Sequence, residues 1–315
     1  MKNVLKALIR ILITVAVLFF VLKSVDFSEM LTILKGVNIS MLLFSFVVYV
    51  IMVMLCTLRW HKLLMVQQIP ISYGRTFAYY LIGFFYNNIL PTTVGGGVVR
   101  ALYAGKWGGK TKAAFSSMLV ELILGGWALI IFALIASLFY LKSLSLYLVL
   151  LPLVGMFIFV SIVLYLFFHR GVMKRFKVIT DNIKIFGISQ RLKDLYEAMY
   201  IYKDKKTQII EVILLSFGIQ MIVVVMNLLI GVSLGFKLPF MSYVIYPVII
   251  GLMTTVPLTI NGIGIREWGY RFFFSQVGLS GSQAVILSLL FYFVTTIGSL
   301  LGGIVFPFVR SCKEG

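Results

Sequence analysis

The sequence predicts an all-α integral membrane protein, because its composition is too apolar for a water-soluble domain. Hydrophobic residues occupy 61% of the 315 positions, charged residues only 12%, and the mean hydropathy is +1.06. The apolar residues form uncharged stretches long enough to cross or deeply enter a bilayer, which takes about 20 residues per helix. These stretches are 36–58, 76–99, 143–168, 212–236, 238–265 and 272–309, together with 113–141, which only Glu121 interrupts.

The net charge of +18 reflects membrane orientation rather than nucleic-acid binding. Lysine and arginine cluster between the apolar stretches, as expected for a membrane protein with basic cytoplasmic loops. Cys56 falls in a predicted span and Cys312 in the tail, so neither a disulfide nor a metal site is expected. We expect one polytopic domain, 1–315, in the plasma membrane, without a cofactor.

The placement of charge predicts the topology of the first half. Three basic residues near the N-terminus precede an apolar stretch at 11–22 with no cleavage site, so we expect a retained helix at about 5–23 and a cytoplasmic N-terminus. If 76–99 crossed fully, the segment 169–207, with ten Lys/Arg against four Asp/Glu, would lie outside the cell. Its cytoplasmic placement requires that 76–90 enter the membrane and that 98–110 return to the same side.

The same reasoning predicts a second re-entrant hairpin. In it, 241–256 enters from the outside and 265–276 returns, which leaves the C-terminus in the cytoplasm. The chain is therefore expected to have about six spanning helices and two broken-helix hairpins. We expect an inverted repeat of about 1–141 and 145–309, with the hairpins meeting near the middle of the membrane.

A ten-residue pattern occurs once in each half, where the predicted hairpin turns. It is PTTVGGGVVR at 91–100 and PLTINGIGIR at 257–266, and both copies read Pro-x-Thr-(Val/Ile)-(Gly/Asn)-Gly-x-x-(Val/Ile)-Arg. Matching Gly/Pro interruptions in two halves of a membrane protein are typical of a transport site at a repeat interface.

The residue types in this pattern favour an anion site. Proline ends the incoming half-helix, glycine lets the backbone approach a ligand, and a helix N-terminus with an arginine suits a phosphate or carboxylate. The predicted binding residues are Gly95, Gly96, Gly97, Arg100, Gly262, Gly264 and Arg266, and the predicted hinges are Pro91 and Pro257. The alternative is that each arginine snorkels, or forms an ion pair that only stabilises the fold.

Other polar residues at membrane depth allow two interpretations each. Glu121 and Glu267 are either counter-ions of the arginines or, in the case of Glu121, a proton carrier. The pair Asn87-Asn88 either satisfies freed backbone groups or, through Asn88, contacts a head group. The same two interpretations apply to Thr93 and Thr259.

Three further patterns predict packing or surface roles. Arg59-Trp60-His61-Lys62 is typical of an interfacial belt at head-group level. Gly298 and Gly302, four positions apart, predict close helix packing. The basic segment 170–206 predicts a helix that lies on the membrane or the bundle, or docks a cytoplasmic partner. Its apolar face would consist of Leu192, Leu195, Tyr196, Met199 and Tyr202.

The run NILPTTVGGGVVR at 88–100 resembles a signature of the flippase-like membrane domain found in lysylphosphatidylglycerol synthases. The run 257–267 resembles that family's second signature, and Arg59-Trp60 and Gly302 also fit, so the resemblance covers almost the whole chain. Gly97 departs from the family pattern, in which an acidic or small polar residue is expected, and this puts an acid-dependent role there in doubt.

The resemblance implies translocation of a charged phospholipid between leaflets. No aminoacyl-transferring domain is present within the 315 residues, so lysyl-lipid synthesis is not expected. The predicted function is a lipid flippase whose partners are membrane lipids with anionic head groups, either phospholipids or polyprenyl-phosphate-linked lipids. The alternatives are a lipid-modifying enzyme, for which no catalytic set is visible, and an accessory subunit of a lipid or glycan biosynthesis complex.

Overall fold

Within the residues that it describes, the computed structural model consists of helices and contains no strand. Those residues are 2–23, 25–90, 94–138, 144–168, 199–255 and 259–309. The first helices are α1 Lys2–Lys23, α2 Phe27–Lys35, α3 Ile39–Val66, α4 Tyr73–Ile89, α5 Gly95–Gly108, α6 Thr111–Leu138 and α7 Leu144–Phe168. The later ones are α8 Lys206–Ser233, α9 Phe240–Thr255, α10 Ile265–Ser275 and α11 Gly281–Val305. The predicted all-α class is confirmed.

Among the described residues, four helices are long and apolar enough to cross a bilayer: α3, α6, α8, and α11 with its 3-10 extension to Phe308, each spanning 28 residues. The predicted spans in α1 and α7 contain shorter apolar stretches among the described residues, Leu12–Val21 and Leu150–Tyr165. The incoming hairpin arms are also short, with 17 residues in α4 and 16 in α9. At about 1.5 Å per residue neither arm reaches across a hydrocarbon layer of about 30 Å.

The helices α4 and α5 form the first hairpin. Gly83 and Gly96 let their backbones touch, since a Cβ added to Gly96 would lie 1.8 Å from the carbonyl oxygen of Gly83. At the other end, Trp107 Nε1 donates to the carbonyl oxygen of Pro70 at 3.0 Å. The end of α5 therefore lies beside the start of α4, as a re-entrant hairpin requires.

The helices α9 and α10 form the second hairpin in the same way. Near its open end the rings of Tyr243 and Phe274 lie 6.0 Å apart. Closer to the break, a Cβ added to Gly269 would lie 3.0 Å from Ile250 Cγ1. Early residues of α9 thus face late residues of α10, so the two arms are antiparallel.

The two hairpins meet at their tips. Asn261 Nδ2 donates to Asn88 Oδ1 at 3.3 Å. Asn88 in turn donates from Nδ2 to Ser299 Oγ on α11. This contact agrees with the prediction that the two breaks meet, and their depth in the membrane stays a prediction.

The two sets of helices also have the relation that an inverted repeat requires. The helices α3 and α8 run over residues 39–66 and 206–233, an offset of 167 positions at both ends. They are antiparallel, because Asn38 N donates to Ser233 O at 2.8 Å while Lys62 Nζ pairs with Glu211 Oε2 at 2.7 Å. In addition, α4 packs on α11 and α9 packs on α6. The repeat bounds 1–141 and 145–309 and the membrane orientation stay predictions.

The described end of the segment 170–206 packs on the helical bundle. Met199 and Tyr202 are buried, and the Tyr202 hydroxyl donates to the carbonyl oxygen of Leu63 in α3 at 2.9 Å. Residues 170–198, which include Leu192, Leu195 and Tyr196, lie outside the described residues.

The predicted packing face of the last helix is confirmed. A Cβ added to Gly298 would lie 2.0 Å from Tyr49 Cε1, and one added to Gly302 would lie 2.0 Å from the carbonyl oxygen of Leu81. Glycine at these positions lets α11 approach α3 and α4 closely.

We predict that Gly302→Ala destabilises the protein by about 1–3 kcal/mol, because its methyl group meets a backbone oxygen that cannot rotate away. Gly126→Ala is the matched control, since no atom lies within 4 Å of the added Cβ. Thermal unfolding in detergent micelles, followed by intrinsic fluorescence, should show a lower midpoint for Gly302→Ala alone. Equal midpoints would contradict the close approach of α11 and α4.

The re-entrant topology predicts which residues face the same side of the membrane. The test variants, made with Cys312→Ser while Cys56 stays buried, are Ser72→Cys, Lys110→Cys, Lys237→Cys and Gln276→Cys. A membrane-impermeant maleimide should label positions 72 and 110 from one side and positions 237 and 276 from the other. Labelling of 72 and 110 from opposite sides would show that the first hairpin crosses the membrane.

Candidate functional site

The candidate site is built around Glu121, whose side chain in α6 is 1% exposed. Its Oε2 accepts a hydrogen bond from Arg100 Nη2 at 2.5 Å. Its Oε1 accepts from Arg59 Nε and Nη2 at 3.2 and 2.9 Å, and from the Tyr80 hydroxyl at 2.9 Å. The donors belong to α5, α3 and α4, so one buried carboxylate joins both arms of the first hairpin to α3 and α6.

These contacts are the ones expected if Glu121 is a counter-ion of arginine. Two guanidinium groups and one carboxylate leave a single positive charge in the cluster. Each of these charges would be costly to bury alone, and breaking such a pair typically costs several kcal/mol.

The interfacial-belt interpretation of Arg59 and Trp60 is wrong. The helix α3 continues about two turns beyond the uncharged stretch 36–58, so both residues lie within the helix. Trp60 is fully buried, and its Nε1 donates to Ser117 Oγ at 3.0 Å. The available signal was Glu121, because an acid in an apolar span needs a cation from another helix.

Two aromatic rings hold the Arg100 guanidinium. Its Cζ atom lies 4.0 Å from the ring centre of Tyr80 and 4.4 Å from that of Trp60. Cation–π contacts of this kind orient a guanidinium without using its hydrogen-bond donors. The donors of Arg100 are therefore available for Glu121 and for another acceptor.

A cavity of about 170 Å³ adjoins the cluster at the tip of the first hairpin, lined in part by Asn87, Gly97 and Arg100. Arg100 Nη1 is buried and has no hydrogen-bond acceptor among the described residues. A buried donor without an acceptor is rare, and here it lies on a side chain that lines a cavity. The arrangement suits an anionic group that enters the cavity.

The glycines of the first motif bring the start of α5 to this cavity. Gly95 is buried and begins α5, and the Gly96 N–H donates to Asn87 Oδ1 at 2.8 Å. Asn87 therefore satisfies a freed backbone group, as one alternative predicted, whereas Asn88 bonds across the hairpin tips. Gly97 lines the cavity, where a Cβ would lie 3.0 Å from Met118 Sδ.

The second motif forms a separate ion pair between neighbours in sequence. Arg266 Nε and Nη2 donate to Glu267 Oε1 at 3.0 and 2.7 Å. Glu267 Oε2 also accepts from the Gly264 N–H at 2.6 Å, and Arg266 Cζ lies 4.1 Å from the ring centre of Tyr292. The carboxylate of Glu267 thus neutralises Arg266 and caps the start of α10.

The first helix covers the break of the second hairpin. The Ile260 N–H donates to Thr14 Oγ1 at 3.0 Å. A Cβ added to Gly264, which has a φ of +88°, would lie 3.1 Å from Val17 Cβ. The nearby Thr259 hydroxyl is buried and has no hydrogen-bond partner within the described ranges. Gly262, with a φ of +73°, also needs the conformational freedom of glycine.

The two motifs come together through Asn88 and Asn261, while Arg100 and Arg266 lie in separate ion-pair clusters. The hinge residues Pro91 and Pro257, and also Thr93, lie outside the described residues. Within the described part of the chain no group of three or more His, Cys, Asp or Glu side chains could hold a metal ion.

Comparison with known proteins identifies the family. The sequence model of the lysylphosphatidylglycerol synthase TM region matches residues 7–303, nearly the whole chain. The chain belongs to this family. The resemblance drawn from the two motifs is confirmed, and the protein is a membrane protein of the lysylphosphatidylglycerol synthase TM family.

Two archaeal relatives are similar over almost their full length. A UPF0104 membrane protein of Methanocaldococcus jannaschii is 23% identical over 301 residues, covering 90% of this chain and 89% of the relative. A second UPF0104 membrane protein, of Pyrococcus horikoshii, is 22% identical over 325 residues, covering 95% and 96%. No solved structure matches the chain.

We predict that Glu121→Gln lowers the stability by about 3–5 kcal/mol, because it leaves two buried guanidinium groups without a counter-ion. The control is Glu211→Gln, which removes the partner of Lys62 in an ion pair whose side chains are 40% and 33% exposed. That change should stay within about 1 kcal/mol. Chemical unfolding in micelles separates the two variants, and equal losses would contradict the structural role of the cluster.

Proposed function

We propose that this protein moves lipids with an anionic head group between membrane leaflets and that Arg100 engages the head-group phosphate. The observation that carries the proposal is the buried Arg100 Nη1, without an acceptor among the described residues, beside the cavity of about 170 Å³. The start of α5 lies at the same cavity through Gly96 and Gly97. A guanidinium beside a helix N-terminus is a favourable phosphate site, because both present donors and positive charge.

Membership of the family supports lipids as the cargo. The family is described as the TM region of lysylphosphatidylglycerol synthases, which links it to phospholipid metabolism. The resemblance of the two motifs to the flippase-like domain implies translocation rather than synthesis. Phospholipids and polyprenyl-phosphate-linked lipids both present the required phosphate.

The arrangement of the hairpins supports a path between the leaflets. Their tips meet through Asn88 and Asn261, so a site at the tip of the first hairpin lies next to the break of the second. We assign Arg266, with Thr259 and the adjacent glycines, to the other half of this path. Rocking of one repeat against the other would expose the path to each leaflet in turn. We also propose that the membrane is the plasma membrane and that both termini lie in the cytoplasm.

The decisive experiment is leaflet exchange of labelled lipids in proteoliposomes that contain the purified protein. Anionic, zwitterionic and polyprenyl-phosphate lipids are compared with and without a proton gradient. We predict that Arg100→Ala reduces head-group-selective exchange to the rate of protein-free liposomes, whereas Arg100→Lys keeps part of it because the charge remains. Lys35→Ala, an exposed change at the end of α2, is the matched control and should behave like the unmodified protein.

The outcomes separate the functions that the sequence left open. Exchange by Arg100→Ala at the unmodified rate, with a normal unfolding midpoint, would refute the role of Arg100. No exchange of any lipid would refute the flippase. A chemically altered lipid, seen by mass spectrometry, would indicate an enzyme. Activity that requires a co-purifying protein would indicate an accessory subunit that docks through 170–206.

A further inference from the structure

We propose that the carboxylate of Glu121 occupies the anion site at Arg100 until an incoming phosphate displaces it. Arg59 is the positioning residue that holds the displaced carboxylate. This inference rests on the proposed function and deepens it, since it states which group is bonded to Arg100 before the lipid phosphate binds. It is carried by the unequal bonding of the two arginines and of the two carboxylate oxygens.

The two carboxylate oxygens of Glu121 differ in the number of hydrogen bonds that they accept. Oε1 accepts three hydrogen bonds, two from Arg59 and one from the Tyr80 hydroxyl. Oε2 accepts from Arg100 Nη2. If Arg100 turns to another anion, Glu121 keeps a charged partner and three donors, so it is not left as an unpaired buried charge.

Each of the three guanidinium nitrogens of Arg59 donates a hydrogen bond, whereas Nη1 of Arg100 donates none within the described ranges. Arg59 Nε and Nη2 bond Glu121, and its Nη1 donates to Ser216 Oγ on α8 at 3.0 Å. Gly125 leaves room for this geometry, because a Cβ there would lie 3.1 Å from Arg59 Nη1. Arg100 Nη1, in contrast, has no acceptor among the described residues. Of the two guanidinium groups, Arg100 is the one with capacity for a ligand.

The charges of the cluster balance only after the exchange. With the site empty, one carboxylate serves two guanidinium groups, and one positive charge is uncompensated. With a phosphate bound, Arg59 would neutralise Glu121 and Arg100 would neutralise one phosphate charge. The rings of Trp60 and Tyr80 can hold the Arg100 guanidinium in both states, because they contact its face and not its donors.

The test uses two variants of the same ion pair, for which the proposal predicts opposite effects. Binding is measured by isothermal titration calorimetry on the full chain in micelles, with inorganic phosphate and dihexanoylphosphatidylglycerol as probes and uncharged dihexanoylglycerol as the blank. Glu121→Gln should bind the anionic probes about tenfold to a hundredfold more tightly, because it removes the internal competitor for a charge-assisted hydrogen bond.

Arg59→Gln should have the reverse effect. It leaves Glu121 with Arg100 as its charged partner, so the anionic probes should bind about tenfold or more weakly. Arg59→Lys retains the charge and should recover part of the affinity. If Glu121→Gln does not fold, Glu121→Asp is used instead. Its shorter side chain should weaken the pair with Arg100, so the anionic probes should bind more tightly than to the unmodified protein but less tightly than predicted for Glu121→Gln.

The sign of the change decides between a displaced counter-ion and a fold-stabilising ion pair. Weaker binding by both Glu121→Gln and Arg59→Gln would overturn the displacement and leave the phosphate role of Arg100 standing. No binding of either probe by the unmodified protein would overturn the proposed function as well. Opposite signs support the displacement, and the comparison of phospholipid with inorganic phosphate shows whether the lipid or the phosphate alone is recognised.

Discussion

The rest of this structure depends on the carboxylate of Glu121. It is buried among apolar helices, where a lone charge would be prohibitive, and it is tolerated because α3, α4 and α5 each send a donor to it. A re-entrant hairpin is a poor structural element by itself, since its arms are short and its tip is not helical. Attachment to α6 through one carboxylate holds the hairpin against the bundle, with a cavity beside its tip.

The second constraint is the hydrogen bonding of the broken backbone. In hydrocarbon, non-helical backbone is tolerated only when its N–H and C=O groups find partners. Here side chains from several parts of the chain supply them: Asn87 for Gly96, Thr14 for Ile260, and Glu267 for Gly264. The break of the second hairpin therefore requires the first helix of the chain, which explains why α1 lies against it.

The sequence predicted the hairpins, and it showed the two Pro/Gly/Arg motifs, because both features leave local signals. Uncharged stretches mark the helices, basic loops predict which side of the membrane each connection faces, and Pro, Gly and Arg mark the breaks. The ion pairs and hydrogen bonds between residues distant in sequence left no such signal. Arg59 reaches Glu121 across 62 positions, and the charge pattern alone ended α3 too early to place Arg59 within the helix that packs beside Glu121. The same is true of Asn88 and Asn261, whose contact depends on how the two hairpins dock.

The two hairpins differ in where each arginine finds its counter-ion. On α10 the acid follows the base directly, so Arg266 and Glu267 travel together whenever that helix shifts. On α5 the base pairs with an acid on α6, so any separation of these helices pulls opposite charges apart in a medium of low dielectric constant. The two halves of the repeat are consequently unequal in mechanical terms. A shift of the second hairpin would keep Arg266 and Glu267 paired, whereas a shift of the first away from α6 would separate Arg100 from Glu121.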